Sequence, residues 1–312
     1  GSCAYFNEPQ YDRPGEPYGG GYQIYQHIAE DNPDLMLWLG DNWYYQDVDW
    51  GSATGLYRRA AHGRQYDELQ PLLRTAQHYA IWDDHDYGPN DSDRGYPLKD
   101  SAAAVFHHFW ANPPYHHTGP ITTTFAWGDA QFFLLDNRWH RTPNRRKTDT
   151  CAILGRVQLS WLVDQLVASH ATFKFVLIGG QVLNPLQKYE THANICATER
   201  QQLLDVVAQE GIEGVVFLSG DRHHSCLSKL EREGNYPLFD FTVSPLGAKG
   251  AGEWAADEAN TLRVEGSYVG KRNYGLIDIS GPRNARVLTL RLRSTEGREL
   301  WRYELSEDLI SD

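Results

Sequence analysis

The sequence predicts an α/β fold, and three observations predict it. Five short runs are apolar along their whole length: LMLWL at 35–39, YAIW at 79–82, FFLL at 132–135, FVLI at 175–178 and VVFL at 215–218. Such runs mark strands buried on both faces. Amphipathic stretches with helical spacing alternate with several of them. Each run also ends in a polar cluster: GD, DDHD, DNR, GGQ and SGD in turn.

In chain order, residues 1–20 are rich in Gly, Pro and Tyr and read as loop. Residues 21–32 (GYQIYQHIAEDN) have apolar side chains at 24, 25 and 28, a helical spacing that Pro33 stops. The first strand follows at 35–39. Residues 46–78 read as mostly helical, and 79–82 is the second strand. Residues 100–111 (DSAAAVFHHFWA) predict a helix with Asp100 as N-cap, ended by Pro113 and Pro114. Residues 122–127 and 131–135 form a hairpin around Gly128-Asp129. A basic loop at 141–150 leads into a helix at 155–170, with apolar positions 159, 162, 163 and 166. The strand at 173–178 precedes a helix at 198–210 that opens with the capping box Thr198-x-x-Gln201. After the strand at 215–218 come four strand-like segments, FDFTVS, YGLIDI, ARVLTLRL and LWRYEL, between 238 and 305. No internal repeat or linker interrupts the chain, which reads as one domain over 1–312.

The 312 residues are 41% hydrophobic and 22% charged, a globular composition. No apolar stretch is long enough to span a bilayer. The formal net charge of −12 argues against wrapping nucleic acid, which needs a basic footprint. It fits a carboxylate-rich site offset by metal. The four cysteines (Cys3, Cys151, Cys196 and Cys226) lack zinc-knuckle spacing. Cys151 and Cys196 lie in polar segments where a disulfide is one option and two free thiols the other.

The densest chemistry is WDDHDYGPNDSD at 82–93. So many mutually repelling carboxylates call for a neutralising cation, although a solvated acidic loop has the same composition. In open α/β sheets, ligands bind beyond the carboxyl ends of the strands, so five strand-end clusters should converge on one rim. The pooled side chains are Asp41, Tyr44, Asp84, His85, Asn90, Arg138, Gln181, Asp221 and His223, an oxygen and nitrogen set suited to two metal ions. Such a pair would activate an oxygen nucleophile and clamp a phosphoryl group.

GD-x-x-Y, WDDHDYGPND and SGD-x-H, in that order and at strand ends, resemble the PhoD-like alkaline phosphatases, a branch of the calcineurin-like metallophosphoesterases. The resemblance covers roughly residues 3–246. It implies a four-layer α/β/β/α sandwich of two mixed β-sheets, a metallophosphoesterase catalytic domain, and phosphomonoesterase or phosphodiesterase activity. It further implies Fe3+ with one or two Ca2+, with Mn2+, Mg2+ or Zn2+ as alternatives. On this pattern Asp41 bridges the metals, Tyr44 and Cys3 ligate iron, and Asp221 and His223 are further ligands. Asp84 serves the second metal, Asn90 is a further second-metal ligand, and His85 stands beside the leaving group. Family members of this kind act outside the cytoplasm, which implies a secreted, periplasmic or extracellular location.

Two departures stand out. The strand expected before Cys3 is missing, which leaves its anchoring open. Gln181 stands where the superfamily often has a histidine, and a neutral amide oxygen suits calcium. Arg138, Arg141 and His224 are candidates for binding the substrate phosphate, the arginines because a guanidinium fork matches its oxygens. Catalysis then rests on Asp41, His85 and Arg138, with direct in-line attack by a metal-bound hydroxide. The expected substrates are small-molecule or polymeric phosphate esters. Two alternatives remain at this level: a glycosidase using two of Asp83, Asp84 and Asp86, or a calcium-stabilised carbohydrate-binding protein suggested by the 10 Trp and 18 Tyr.

Overall fold

The structure, a computed structural model, describes residues 1–12, 14–148 and 150–310. Six strands form a mixed sheet: β3 (Thr123–Trp127), β4 (Ala130–Leu134), β5 (Phe173–Leu177), β6 (Val215–Ser219), β7 (Cys226–Arg232) and β8 (Asn235–Thr242). Their order is β3-β4-β5-β6-β8-β7, parallel from β4 through β8 with an antiparallel strand at each edge. A parallel pair, β1 (Leu35–Leu39) and β2 (Gln77–Ile81), is aligned from Leu35 with Gln77 to Leu39 with Ile81. A second, antiparallel sheet joins β9 (Asn273–Ser280), β10 (Val287–Ser294) and β11 (Glu299–Ser306).

Strand alternation divides the core. Phe133, Val176, Val215, Phe217 and Leu238 pack with Leu159, Leu162 and Leu166 of α1 (Gly155–Ala168) and with Leu203, Leu204 and Val207 of α2 (Ala197–Gln209). Their neighbours Phe132, Leu134, Phe175, Leu177, Val216, Leu218, Phe239 and Phe241 face the other way. They meet Met36 and Trp38 of β1 and Leu288, Leu290 and Leu292 of β10. The large sheet is therefore buried on both faces, which is why its strands read as unbroken apolar runs.

The strands and the hairpin fall where the sequence places them, with Trp127 paired to Ala130 across Gly128 (φ +58°). The expected caps do not. Asp100 lies inside the first turn of its helix, Lys99–Phe109, with Leu98 at the N-cap. Thr198 likewise lies inside α2, behind Cys196. The Glu199 carboxylate accepts from the backbone N–H groups of Ile153, Leu154 and Gly155 at 2.8–3.0 Å, which anchors the start of α1. Cys151 and Cys196 form a disulfide, with Cα atoms 5.4 Å apart.

Residues 1–4 seal the seam between the sheets. Gly1 O accepts from Leu39 N, Cys3 N donates to Gly40 O, and Ala4 N donates to Asp41 O. On the other side Ser2 N donates to Val243 O, and Leu246 N to Ser2 O. The open question of Cys3 is answered: backbone bonds to both sheets hold it, and its side chain is fully buried.

Candidate metal centre

The carboxyl ends of β1 and β2 lie side by side because the pair is parallel and in register. Gly40 (φ +92°) makes the turn into Asp41, and a Cβ there would sit 2.7 Å from Asp83 Cβ. Asp86 ties the two loops together. It accepts from Asp83 N at 2.5 Å through one oxygen and from Asn42 N at 3.0 Å through the other. The single turn Asp84–Tyr87 then presents Asp84 and His85 next to Asp41. Asp221 and His223 arrive from the end of β6.

Two groups of donor atoms share Asp41. Cys3, Asp41 and His223 each bring a ligand atom within 4.8 Å of the others, as do Asp41, Asp84 and His85. Tyr44 completes the first group: its hydroxyl lies 3.0 Å from Asp41 Oδ2 and 3.2 Å from His223 Nε2. A third group, Asp83, Asp84, Glu190 and Asp221, adjoins through Asp84. Cys3, Asp41, Asp221 and His223 all have left-handed backbones, with φ of 56°, 53°, 66° and 52°. Each such residue costs about 1–3 kcal/mol and persists only where the surroundings fix it. Four in one cluster place stored strain at the strand ends.

The electrostatics call for positive charge. Burial, then the neighbouring Asp84, pushes the Asp41 carboxyl well above the usual carboxylate range. Burial and then Asp83 do the same to Asp221. Burial pushes the Cys3 thiol up to about 11 and the Tyr44 phenol further above its ordinary value. For Asp84 burial also works upward, but His85 and Arg138 outweigh it and hold the carboxyl at about 2. Burial lowers the pKa of both His85 and His223. Asp84 Oδ1 and Asp83 Oδ2 are buried without a hydrogen-bond partner. Five acidic groups (Asp41, Asp83, Asp84, Glu190 and Asp221) thus crowd together, and the buried Arg138 and Arg141 pair only with Asp83, Asp84 and Glu190 among them. This donor set fits bound cations: a thiol, a phenol and an imidazole beside Asp41 on one side, carboxylates with the His85 imidazole on the other.

An open pocket of about 1060 Å³ reaches this centre. Asp41, Asp84, His85, Asn90, Asp221 and His223 line it, with Tyr18, Glu190 and Lys249 among others. Cys3 and Tyr44 are buried beside Asp41. The His85 ring lies against Tyr44, centroids 4.2 Å apart.

Four expectations are corrected. Arg138 is fully buried and spends its donors on Asp83, Glu190 and Ser92 O, so it presents no fork to a substrate. Arg141 is buried against Glu190 and Asn144. Gln181 turns inward, donating to Thr242 Oγ1 and accepting from Asn184, both at 2.8 Å. His224 points away from the pocket and packs on Tyr268, whereas its neighbour His223 faces the cluster. The carboxylate pairing of a glycosidase also finds no support, since Asp83 and Asp86 are fully buried and occupied by Arg138, Asn42 and backbone.

Two residues the sequence reasoning did not single out belong here. Glu190, in the loop after β5, is the acid that Arg138 and Arg141 grip. Tyr18 lies 3.2 Å from His223 Nδ1, which also faces Lys249 O at 2.8 Å. These contacts orient the ring so that Nε2 faces Tyr44 and Asp41.

A family model described as PhoD-like phosphatase matches residues 1–281. The alkaline phosphatase D of Bacillus subtilis (strain 168) is 24% identical over 262 residues, covering 68% of this chain and 45% of that protein. The chain thus spans about half the length of the curated relative it matches. A solved structure of PhoD superposes with a TM-score of 0.71 at 17% identity, covering 99% of this chain and 69% of that one. The purple acid phosphatase of yellow lupin (Lupinus luteus) seeds gives 0.62 at 11% identity, covering 98% and 52%. At such identities the likeness is one of fold, the mixed α/β metallophosphoesterase-like architecture expected from the sequence.

Proposed function

This chain belongs to the PhoD-like phosphatase family, and from that premise we propose that it hydrolyses phosphate esters, mono- or diesters, with the aid of two or more cations. The observation that carries the reading is the sharing of Asp41 between two donor groups on the floor of an open pocket. Cys3, Tyr44, His223 and Asp41 would hold a ferric ion, since thiolate and phenolate suit a strongly Lewis-acidic ion. Asp84 and Asp221, with Asp41 and Asn90, would hold a harder cation such as calcium. When bound, the cations would make water acidic enough to supply a nucleophile and offset the charge on the phosphoryl oxygens.

The chain's own groups do the rest. His85 stands in the pocket with its side chain 20% exposed, placed to give a proton to the departing ester oxygen. Arg138 and Arg141 fix Asp83 and Glu190, and so hold the acidic wall behind Asp84. Lys249, exposed at the rim, takes the phosphate-binding part first expected of the arginines. The Cys151–Cys196 disulfide supports an oxidising, extracytoplasmic location.

The test is chelation and add-back. p-Nitrophenyl phosphate and its bis ester are offered to chelated protein, and then to protein restored with ferric iron and calcium. Restoration of hydrolysis by the cations supports the proposal. Activity indifferent to chelation, or none with any cation, would end it.

A further inference from the structure

The pocket has one wall that the proposed chemistry does not use. Tyr189 and Trp254 both line it, yet stay 49% and 58% exposed. Trp254 is the most exposed tryptophan among the described residues, in a chain whose aromatic side chains mostly build the core. The two rings adjoin, centroids 6.0 Å apart and planes at 51°, so they form one continuous surface. Together they leave aromatic ring surface exposed at the mouth of a polar site.

The surface is tied to the metal centre at short range. Tyr189 directly precedes Glu190, whose carboxylate belongs to the acidic cluster. Its left-handed backbone (φ 56°) separates the ring from that carboxylate. The Arg222 guanidinium lies 4.1 Å over the Tyr189 ring, and Arg222 stands between Asp221 and His223 in the chain. Its other bond, to Glu258, fixes the guanidinium. Trp254 sits on the short 3-10 turn Gly252–Ala255. That turn follows the segment in which Lys249 O meets His223 Nδ1 and Ala251 N donates to His223 O. Both rings are therefore joined, through Arg222 and the backbone of 249–251, to the segment that carries Asp221 and His223.

We propose that Tyr189 and Trp254 form a stacking platform for the organic part of the ester, so that the preferred substrates carry a flat aromatic group, an aryl or nucleobase-like ring, close to the phosphate. This rests on the phosphoesterase reading and narrows it to a substrate class. Stacking on an exposed aromatic ring tolerates many ring systems, because each has a π-face. Removing such a ring weakens binding by about 5- to 150-fold.

The experiment titrates metal-loaded protein with phenylphosphonate and with methylphosphonate, whose P–C bonds resist hydrolysis, and follows heat and tryptophan fluorescence. Wild-type protein should bind phenylphosphonate at least about tenfold tighter. Trp254→Ala and Tyr189→Ala should bring the ratio of the two affinities towards one, while Trp254→Phe keeps most of the preference. Equal affinities in the wild type, binding of neither phosphonate by protein that hydrolyses esters, or a ratio unmoved in both alanine variants would overturn the platform. Failure of the phosphoesterase reading looks different: no ester of any kind is hydrolysed, whatever the phosphonate ratio.

Discussion

Replacing Asp41 by Asn keeps the shape of the side chain and removes the one charge that both donor groups share. In the structure its Oδ2 accepts from Tyr44 at 3.0 Å and its Oδ1 from His85 N at 3.2 Å, so an amide can keep one of these bonds. A unit charge about 4 Å from a unit cation contributes about 4 kcal/mol at an effective dielectric of about 20. That is about a thousandfold in affinity, and multivalent ions at shorter range make it a lower bound. Cation binding and kcat/KM should both fall by at least about that factor. Stability of the metal-free protein should move the other way. The folded pKa of Asp41 is raised above its unfolded value, so the folded state holds the proton more tightly. That contribution is fully present below the unfolded value of about 4 and is lost as pH rises through the folded one. Asn has no such loss. Chelated Asp41→Asn should therefore melt at or above chelated wild type at pH 8 by scanning calorimetry. The wild type alone should gain several degrees when cations return. Native metal stoichiometry in the variant, or a metal-free variant melting far below metal-free wild type, would mean that Asp41 is not the shared ligand.

Further predictions follow from neighbouring groups. Iron-loaded wild type should absorb visible light through the Tyr44 phenolate, and Tyr44→Phe should lose that band. Glu190→Gln leaves the buried Arg138 and Arg141 short of a counter-charge; denaturant unfolding should register a loss of about 3–5 kcal/mol. Replacing Cys151 and Cys196 by Ser opens a loop spanning 45 residues, and the same measurement should show a loss of about 4 kcal/mol on the chain-entropy model.

The parts of the site that sequence makes legible are those set by strand ends. A buried strand has a readable apolar run, and whatever follows it must emerge at the sheet rim. Asp41, Asp84, His85, Asp221 and His223 were placed by that logic and do converge. What fails is the direction of a side chain once the strand has ended. His223 and His224 are adjacent, and only the backbone turn decides which faces the cluster. Gln181 and Arg138 also stand at strand ends, yet Thr242 and Asn184 take up one, while Asp83 and Glu190 capture the other. Glu190 itself leaves no periodic trace, because it lies in an irregular loop and is recruited by two arginines distant in the chain. The caps expected at Asp100 and Thr198 fail for a simpler reason: each helix already begins at the residue before, Lys99 and Ala197, which puts both side chains inside the first turn.

The most direct test is element-specific anomalous diffraction from crystals of protein carrying its native metals. One cation should lie between Cys3, Tyr44 and His223 and another beside Asp84 and Asp221, with the Asp41 carboxylate reaching both. Density for no cation, or for cations that leave Asp41 untouched, would contradict it.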